Sequence, residues 1–139
     1  MVTNIPNNTN RARKLVGPDV LYPDLSYRIM EAIFEVHNRL GPGFSEEIYQ
    51  RATIAEIEFR DIPYESQKVI TVLYRGKPVG TYRLDLVIDG KIILELKAVA
   101  SLNDLFKQQL ASYLKATDLR LGILINFGSR RVEYVRIAN

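Results

Sequence analysis

The chain has 139 residues, 47% of them hydrophobic, and contains no cysteine. That length suits one domain with its own core, and the missing cysteines exclude disulfide frameworks, thiolate zinc sites, iron–sulfur clusters and cysteine nucleophiles. The net charge of +3 does not by itself demand a nucleic-acid partner. No apolar run approaches the roughly 20 residues that span a bilayer, and the polar N-terminus lacks the features of a secretory signal. We therefore expect a cytoplasmic protein with no membrane partner.

Two helices are expected after a tail. Residues 1–20 are rich in Asn and have little to bury, which predicts a mobile N-terminal tail before a domain over residues 21–139. Asp24 is a candidate N-cap for the first helix. Its inward stripe, at helical spacing, consists of Leu25, Ile29, Ile33, Val36 and Leu40. A second helix is expected from about Ser45 to about Arg60. Its inward residues are predicted to be Ile48, Ala52, Ala55 and Phe59.

The rest of the chain predicts a mixed sheet. Strands are expected over about 65–74, 79–88 and 91–99, then a helix capped by Ser101, then strands over about 119–127 and 131–137. The helix joining the third and fourth strands makes that pair parallel. The order α-α-β-β-β-α-β-β predicts a single α/β domain with a mixed central β-sheet flanked by helices.

The third expected strand and its predecessor carry unexpected charges. The stretch YRLDLVIDGKIILELKAV is apolar enough to be buried, yet it contains Asp85, Glu95 and Lys97. Charged side chains are rarely buried unless they are paired or bound to a metal. Because side chains alternate across a strand, Glu95 and Lys97 share one face.

The hairpin turn decides whether Asp85 joins them. A two-residue Asp89-Gly90 turn would put Asp85 on the opposite face. A three-residue loop of Ile88, Asp89 and Gly90 would pair Asp85 with Ile93, diagonally beside Glu95. We predict the three-residue loop, or another odd-length one, with Gly90 at positive φ.

Two such carboxylates repel each other unless a cation lies between them. Their oxygen atoms favour Mg²⁺, with Mn²⁺ as a substitute. A cation of this kind polarises a phosphate and lowers the pKa of a bound water, and Lys97 would point into the same site. These are the parts needed for phosphodiester hydrolysis. The alternative is an ion pair of Asp85 or Glu95 with Lys97 or Arg83, and spacing alone leaves both interpretations open.

These residues resemble the PD-(D/E)XK nuclease superfamily, whose pattern is an acid on one strand, (D/E)-x-K on the next and a Glu on an earlier helix. More closely, the chain resembles proteins named after a GxxExxY signature, which here spans Gly43 to Tyr49. The matching blocks, in order over residues 22–137, are VHNRLGPGFSEEIYQ, YRLDLVIDGKIILELKAV and QLASYLKATDLRLGILINFGS. The resemblance implies a restriction-endonuclease-like core and a magnesium-dependent nuclease-type site.

Carried over by position, the resemblance also implies residue roles. Glu46 would be the helix-borne acid, and Lys97 the catalytic lysine. The metal ligands would be three carboxylates, which also belong to the catalytic set, and one backbone carbonyl: Glu46, Asp85, Glu95 and Leu96. Gln109 and Tyr113, one turn apart on the helix after the ExK triplet, would contact the substrate.

Several of these positions also suit structural roles. Glu46 and Glu47 lie where a helix dipole favours acids, and Tyr49 can form a hydrophobic staple with Phe44. His37 is expected to be a packed or capping residue, and Arg130 and Arg131 a solvated turn.

The sequence predicts a metal-dependent nuclease acting on DNA or RNA. The alternatives are a catalytically silent module of the same fold that binds nucleic acid or protein, and an α/β domain whose carboxylates are merely ion-paired. Small nucleases often need a second subunit to grip a duplex, so a homodimer is among the expected partners.

Overall fold

The computed structural model describes residues 21–139, so the tail predicted over residues 1–20 lies outside the described part of the chain. Helices and strands follow one another there in the predicted order. They are α1 Pro23–Leu40, α2 Glu46–Phe59, β1 Tyr64–Tyr74, β2 Lys77–Ile88, β3 Ile92–Lys97, α3 Asp104–Thr117, β4 Leu121–Asn126 and β5 Glu133–Ala138. Among residues 21–139, no helix combines the length and apolar composition needed to cross a bilayer.

The five strands form one mixed sheet in the order β1-β2-β3-β4-β5. The β3–β4 pair is parallel, as the connecting helix α3 requires, and the other three pairs are antiparallel. One core cluster joins α1 and α2 to one face of the sheet, and a second joins α3 to the other face. The predicted α/β architecture, a mixed sheet flanked by helices, is therefore confirmed.

Helix α1 buries most of the predicted stripe, including Ile29, Ile33 and Val36. The prediction that Asp24 caps this helix is wrong. Tyr22 occupies the N-cap position, and Asp24 lies inside the first turn, because Pro23 begins the helix with the fixed φ that suits its first position.

The predicted inward face of α2 is also wrong. The buried residues are Tyr49, Thr53 and Ile57, one position along from the predicted stripe, whereas Phe59 is 83% exposed. The cause is Tyr49, whose ring is fully buried and stacks on Phe127 with centroids 4.7 Å apart. Burying this aromatic side chain outweighs burying the Ile48 side of the helix.

Helix α3 begins two residues later than predicted. Asn103, not Ser101, is the N-cap, and its side chain accepts a hydrogen bond from the backbone N–H of Phe106 over 3.1 Å. The helix buries Leu110, Tyr113 and Leu114 against the sheet.

The β2–β3 loop has an odd number of residues, as predicted, but its position differs. Ile88 pairs with Ile92, so the loop consists of Asp89, Gly90 and Lys91. The Lys91 N–H donates to the Ile88 carbonyl, closing a turn over Asp89 and Gly90, which both have positive φ. The predicted pairing of Asp85 with Ile93 is therefore wrong, because Ile93 pairs with Val87. Continuing this register brings Asp85 directly opposite Glu95.

Candidate active site

Asp85 and Glu95 meet where the β2–β3 ladder ends. The last backbone pair is Leu86 with Leu94. Beyond it, the carboxylates take over as hydrogen-bond acceptors. The Asp85 N–H donates to Glu95 Oε1 over 3.2 Å, and the Leu96 N–H donates to Asp85 Oδ2 over 2.9 Å. The two acids therefore hold the strand ends in place of backbone carbonyls.

A bend in the first hairpin accompanies this site. The β1–β2 ladder pairs Ser66 with Leu86 and Lys68 with Leu84, so Gln67 lies opposite Asp85. Gln67 has a φ of 54°, a left-handed conformation inside a strand, which bends the ribbon. Nothing in the local residue types predicted this bend.

Burial and the neighbouring acid act together on Glu95. This side chain is only 8% exposed. The pKa of Glu95 is raised from 4.5 to about 9, mainly by burial and next by the Asp85 carboxylate. The Asp85 N–H and the Lys97 charge oppose that rise. A buried acid beside a second acid holds a proton unless a cation replaces it.

Lys97 lies on the same face as Glu95, as strand alternation predicted. Its Nζ lies 4.6 Å from the centroid of the Phe106 ring on α3. Within residues 21–139, no ion pair shorter than 4.0 Å joins Asp85 or Glu95 to Lys97 or Arg83. The simple ion-pair interpretation therefore has no support in the contacts.

Glu46 is the first residue of α2 and reaches this site electrostatically. Burial raises the pKa of the Glu46 carboxyl, the Lys97 charge lowers it and the Asp85 charge raises it. Within the described residues, however, no three His, Asp or Glu side chains lie together as a metal-binding group. The strand acids are in contact, while Glu46 stands at the rim.

The Leu96 backbone carbonyl is a further oxygen atom beside the acid pair. The Lys97 carbonyl accepts from the Phe127 N–H on the β4 side, and successive residues of a strand direct their peptide groups to opposite edges. The Leu96 N–H already points to Asp85. The Leu96 carbonyl therefore faces the same side as the acid pair.

The α3 residues differ in their contacts. Tyr113 is buried, and its ring lies 4.8 Å from that of Tyr82. The pKa of Tyr113 is raised to about 12, mainly by burial and then by the charges of Glu95, Tyr82 and Asp85, so its hydroxyl is within electrostatic reach of the acids. Gln109 lies one turn earlier on the helix and is exposed.

Asn126 was missed by the sequence analysis. Its fully buried side chain accepts 2.9 Å hydrogen bonds from the N–H groups of Val99 and Gly128, and donates to the Val99 carbonyl and to Glu133. These bonds fix the segment that follows Lys97. The signal was present in LRLGILINF, because an amide in a buried strand needs partners.

Tyr49 and His37 hold the surrounding scaffold. Tyr49 donates to the Gly41 carbonyl and accepts from the Phe44 N–H, which fixes the loop before Glu46. His37 is buried, stacks on Phe127 and donates from Nε2 to the Ser129 carbonyl, 3.1 Å away. The structural roles expected for both residues are confirmed, and Arg130 and Arg131 are exposed as expected.

Comparison with known proteins gives two findings. A crystal structure of SSO0001 is 22% identical, with a TM-score of 0.55 over 68% of this chain and 50% of that chain, so the match spans half of the other protein and bears on the fold alone. No curated protein matches the sequence. The narrower resemblance to GxxExxY proteins stays a prediction. The model of the PD-(D/E)XK nuclease superfamily matches residues 23–137, nearly the whole domain, and the chain therefore belongs to that superfamily.

Proposed function

We propose that this protein is a metal-dependent nuclease that hydrolyses phosphodiester bonds of DNA or RNA at the Asp85–Glu95 pair. One observation carries the proposal. The two acids face each other at the end of the β2–β3 ladder, with neither held in an ion pair among the described residues and with Lys97 on the same face.

The donor set fits a hard divalent cation. Asp85, Glu95 and the Leu96 carbonyl offer oxygen atoms, and Glu46 lies within electrostatic reach. Mg²⁺ prefers such ligands and keeps several waters, and Mn²⁺ is expected to substitute. When bound, the cation would polarise the phosphate of the substrate and lower the pKa of a bound water.

Side chains of the protein would stabilise the developing charge and orient the substrate. The Lys97 ammonium can donate hydrogen bonds to the attacking water and to a phosphate oxygen, stabilising charge as the new O–P bond forms and the ester P–O bond breaks. Tyr113 and Gln109, on the helix facing the site, would orient the phosphate backbone. The products are a phosphate monoester and a free hydroxyl.

A cleavage assay tests the proposal. Purified protein is incubated with single-stranded, double-stranded and branched DNA and with RNA, in Mg²⁺, in Mn²⁺ and in EDTA. We expect metal-dependent cleavage that falls roughly 10²–10³-fold in Lys97→Ala and Asp85→Asn. Matched controls are Lys91→Ala and Asp89→Asn, in the turn at the opposite end of the same hairpin, which should cleave like the wild type.

Two results would overturn the proposal. Equal cleavage by the wild type and by Lys97→Ala would identify a contaminating nuclease. Binding of nucleic acid without cleavage in either metal would instead indicate the catalytically silent module.

A further inference from the structure

The β1–β2 hairpin extends well beyond the sheet. Strand β3 pairs with β2 only as far as Leu86, so residues 69–83 pair only with each other. We call this two-stranded ribbon the arm. From Val69 to its tip at Tyr74 it spans about 17 Å, at roughly 3.3 Å per residue. The two strands are joined by a two-residue turn, Arg75 and Gly76, in which both φ values are positive.

The arm exposes apolar side chains that the domain does not cover. Ile70 is buried in the core, but five other apolar side chains of the arm are at least 44% exposed: Val69, Leu73, Tyr74, Val79 and Tyr82. An isolated hairpin is marginally stable in water, and exposed apolar surface of this kind marks an interaction site. The arm is therefore a candidate docking surface.

The charges on the arm point to the chemistry of its partner. It carries Arg75, Lys77 and Arg83 and no acid. All three cations are exposed, and within residues 21–139 none forms an ion pair within 4.0 Å. The described residues have a net charge of +1, so the rest of that part of the chain is net negative, at −2. Positive charge is thus concentrated on the ribbon.

The arm also leads directly to the acids. Arg83 precedes Asp85 by two residues, roughly 7 Å along the strand. At the base of the arm, Tyr82 packs on Tyr113. A polyanion bound along the arm would therefore pass beside the Asp85–Glu95 pair.

We infer that the arm binds duplex DNA, with its ribbon in the major groove and its cations on the flanking phosphates. The major groove of B-DNA, about 12 Å wide, admits a two-stranded β-ribbon, whereas the deep, narrow major groove of A-form RNA does not. This inference rests on the proposed function and names its substrate class. Pairing between the arms of two copies is disfavoured, because it would bring together two surfaces of like charge.

The test compares two double variants with the same loss of charge. Arg75→Gln/Lys77→Gln removes cations from the arm tip. Lys91→Gln/Arg120→Gln removes two exposed cations from the end of the sheet opposite the arm tip, just before β3 and β4 begin. Binding of a labelled 20-base-pair duplex is measured by fluorescence anisotropy in EDTA at several salt concentrations, and thermal unfolding confirms that each variant is folded.

The arm variant should bind at least about tenfold more weakly. The slope of log K against log salt should fall by about 1.8, because each cation that neutralises a DNA phosphate contributes roughly 0.9 to that slope. The control variant should stay within about twofold of the wild type, and the wild type should bind the DNA duplex more tightly than an RNA duplex or a single strand. Equal losses of affinity in both variants, an unchanged slope, or equal binding of all three nucleic acids would overturn the inference.

Two further measurements separate its failure from other outcomes. Arm-dependent binding of duplex with no cleavage in Mg²⁺ or Mn²⁺ would support DNA binding by the arm and contradict the proposed nuclease activity. Cleavage with an unchanged KM in the arm variant would support the nuclease activity and contradict DNA binding by the arm. If sedimentation shows that the wild type is a dimer and the arm variant a monomer, while DNA binding is unaffected, the arm joins two copies and the inference is wrong.

Discussion

At the scale of single residues, the proposed site depends on an acid pair that is unstable when both members are charged. Glu95 is buried beside Asp85, and its pKa is raised to about 9 for that reason. In the proposed site, a proton and a divalent cation would therefore compete for the same oxygen atoms, as at any ligand set that must lose a proton to bind metal.

This competition predicts how metal-free stability varies with pH. Between the ordinary pKa of 4.5 and about 9, the folded state holds a proton on Glu95 that the unfolded state has released. The free energy of unfolding therefore falls as pH rises through that window. Melting temperatures at pH 5, 7 and 9 in EDTA should decrease, by about 4 °C for each kcal/mol lost in a domain of this size.

The matched comparison for that experiment is a pair of substitutions. Glu95→Gln should flatten the pH dependence, whereas Glu65→Gln, at an exposed position of β1, should retain it. Saturating Mn²⁺ should raise the melting temperature of the wild type most at high pH. A wild-type melting temperature that rises from pH 5 to pH 9 in EDTA would contradict the shifted pKa.

Glu46 and Glu47 provide a second comparison at this scale. Both lie in the first turn of α2, so each stabilises the helix by roughly 0.3–1 kcal/mol through its interaction with the helix dipole. Only Glu46 interacts with Asp85 and Lys97, while Glu47 forms an exposed ion pair with Arg51.

Glu46→Gln should reduce the cleavage rate by at least about tenfold, and Glu47→Gln should leave it within about twofold. Their melting temperatures should change by similar amounts. Equal cleavage rates in the two variants would limit Glu46 to a structural role.

At the scale of elements, the hairpin turns decide what meets at the site. Side-chain alternation and a glycine at the turn were enough to predict an odd-length loop, and hence that Asp85 and Glu95 share a face. The exact pairing was not predictable, because it depends on whether Lys91 joins the turn or the strand. The bend at Gln67 was not predictable either, since glutamine has no preference for positive φ.

The bend gives a test of its own. A residue with a Cβ is strained by about 1–2 kcal/mol in the left-handed region, and a β-branched one is the least tolerated there, whereas glycine adopts it freely. Gln67→Ile should therefore lower the free energy of unfolding, and Gln67→Gly should leave it unchanged or raise it by up to about 1 kcal/mol. Urea titration measures both. A variant with isoleucine as stable as the one with glycine would mean that Gln67 does not hold a left-handed conformation.

At the scale of the whole molecule, local patterns specified the order of elements and the parallel β3–β4 pair, because hydrophobic period and connection length are local properties. The face that α2 buries was different. The stripes that start at Ile48 and at Tyr49 are neighbours on one helix, and the choice depends on Phe127, which is distant in sequence. The arm was equally hidden, since it exists only because β3 stops pairing at Leu86.

The distribution of charge also depends on the fold and not on the composition of the chain. A net charge of +3 for the whole chain gave no reason to expect a nucleic-acid surface. Folding gathers Arg75, Lys77 and Arg83 on one ribbon next to the acid pair, which no sum over the sequence reveals.

The central claim is that Asp85 and Glu95 hold one divalent cation together. A crystal soaked in Mn²⁺, with diffraction recorded for anomalous scattering, measures this directly. We predict one anomalous peak at roughly 2 Å from a carboxylate oxygen of Asp85, from one of Glu95 and from the Leu96 carbonyl, and no such peak in crystals of Asp85→Asn. Crystals soaked in Mn²⁺ that show the pair ordered with no peak between the two carboxylates would contradict it.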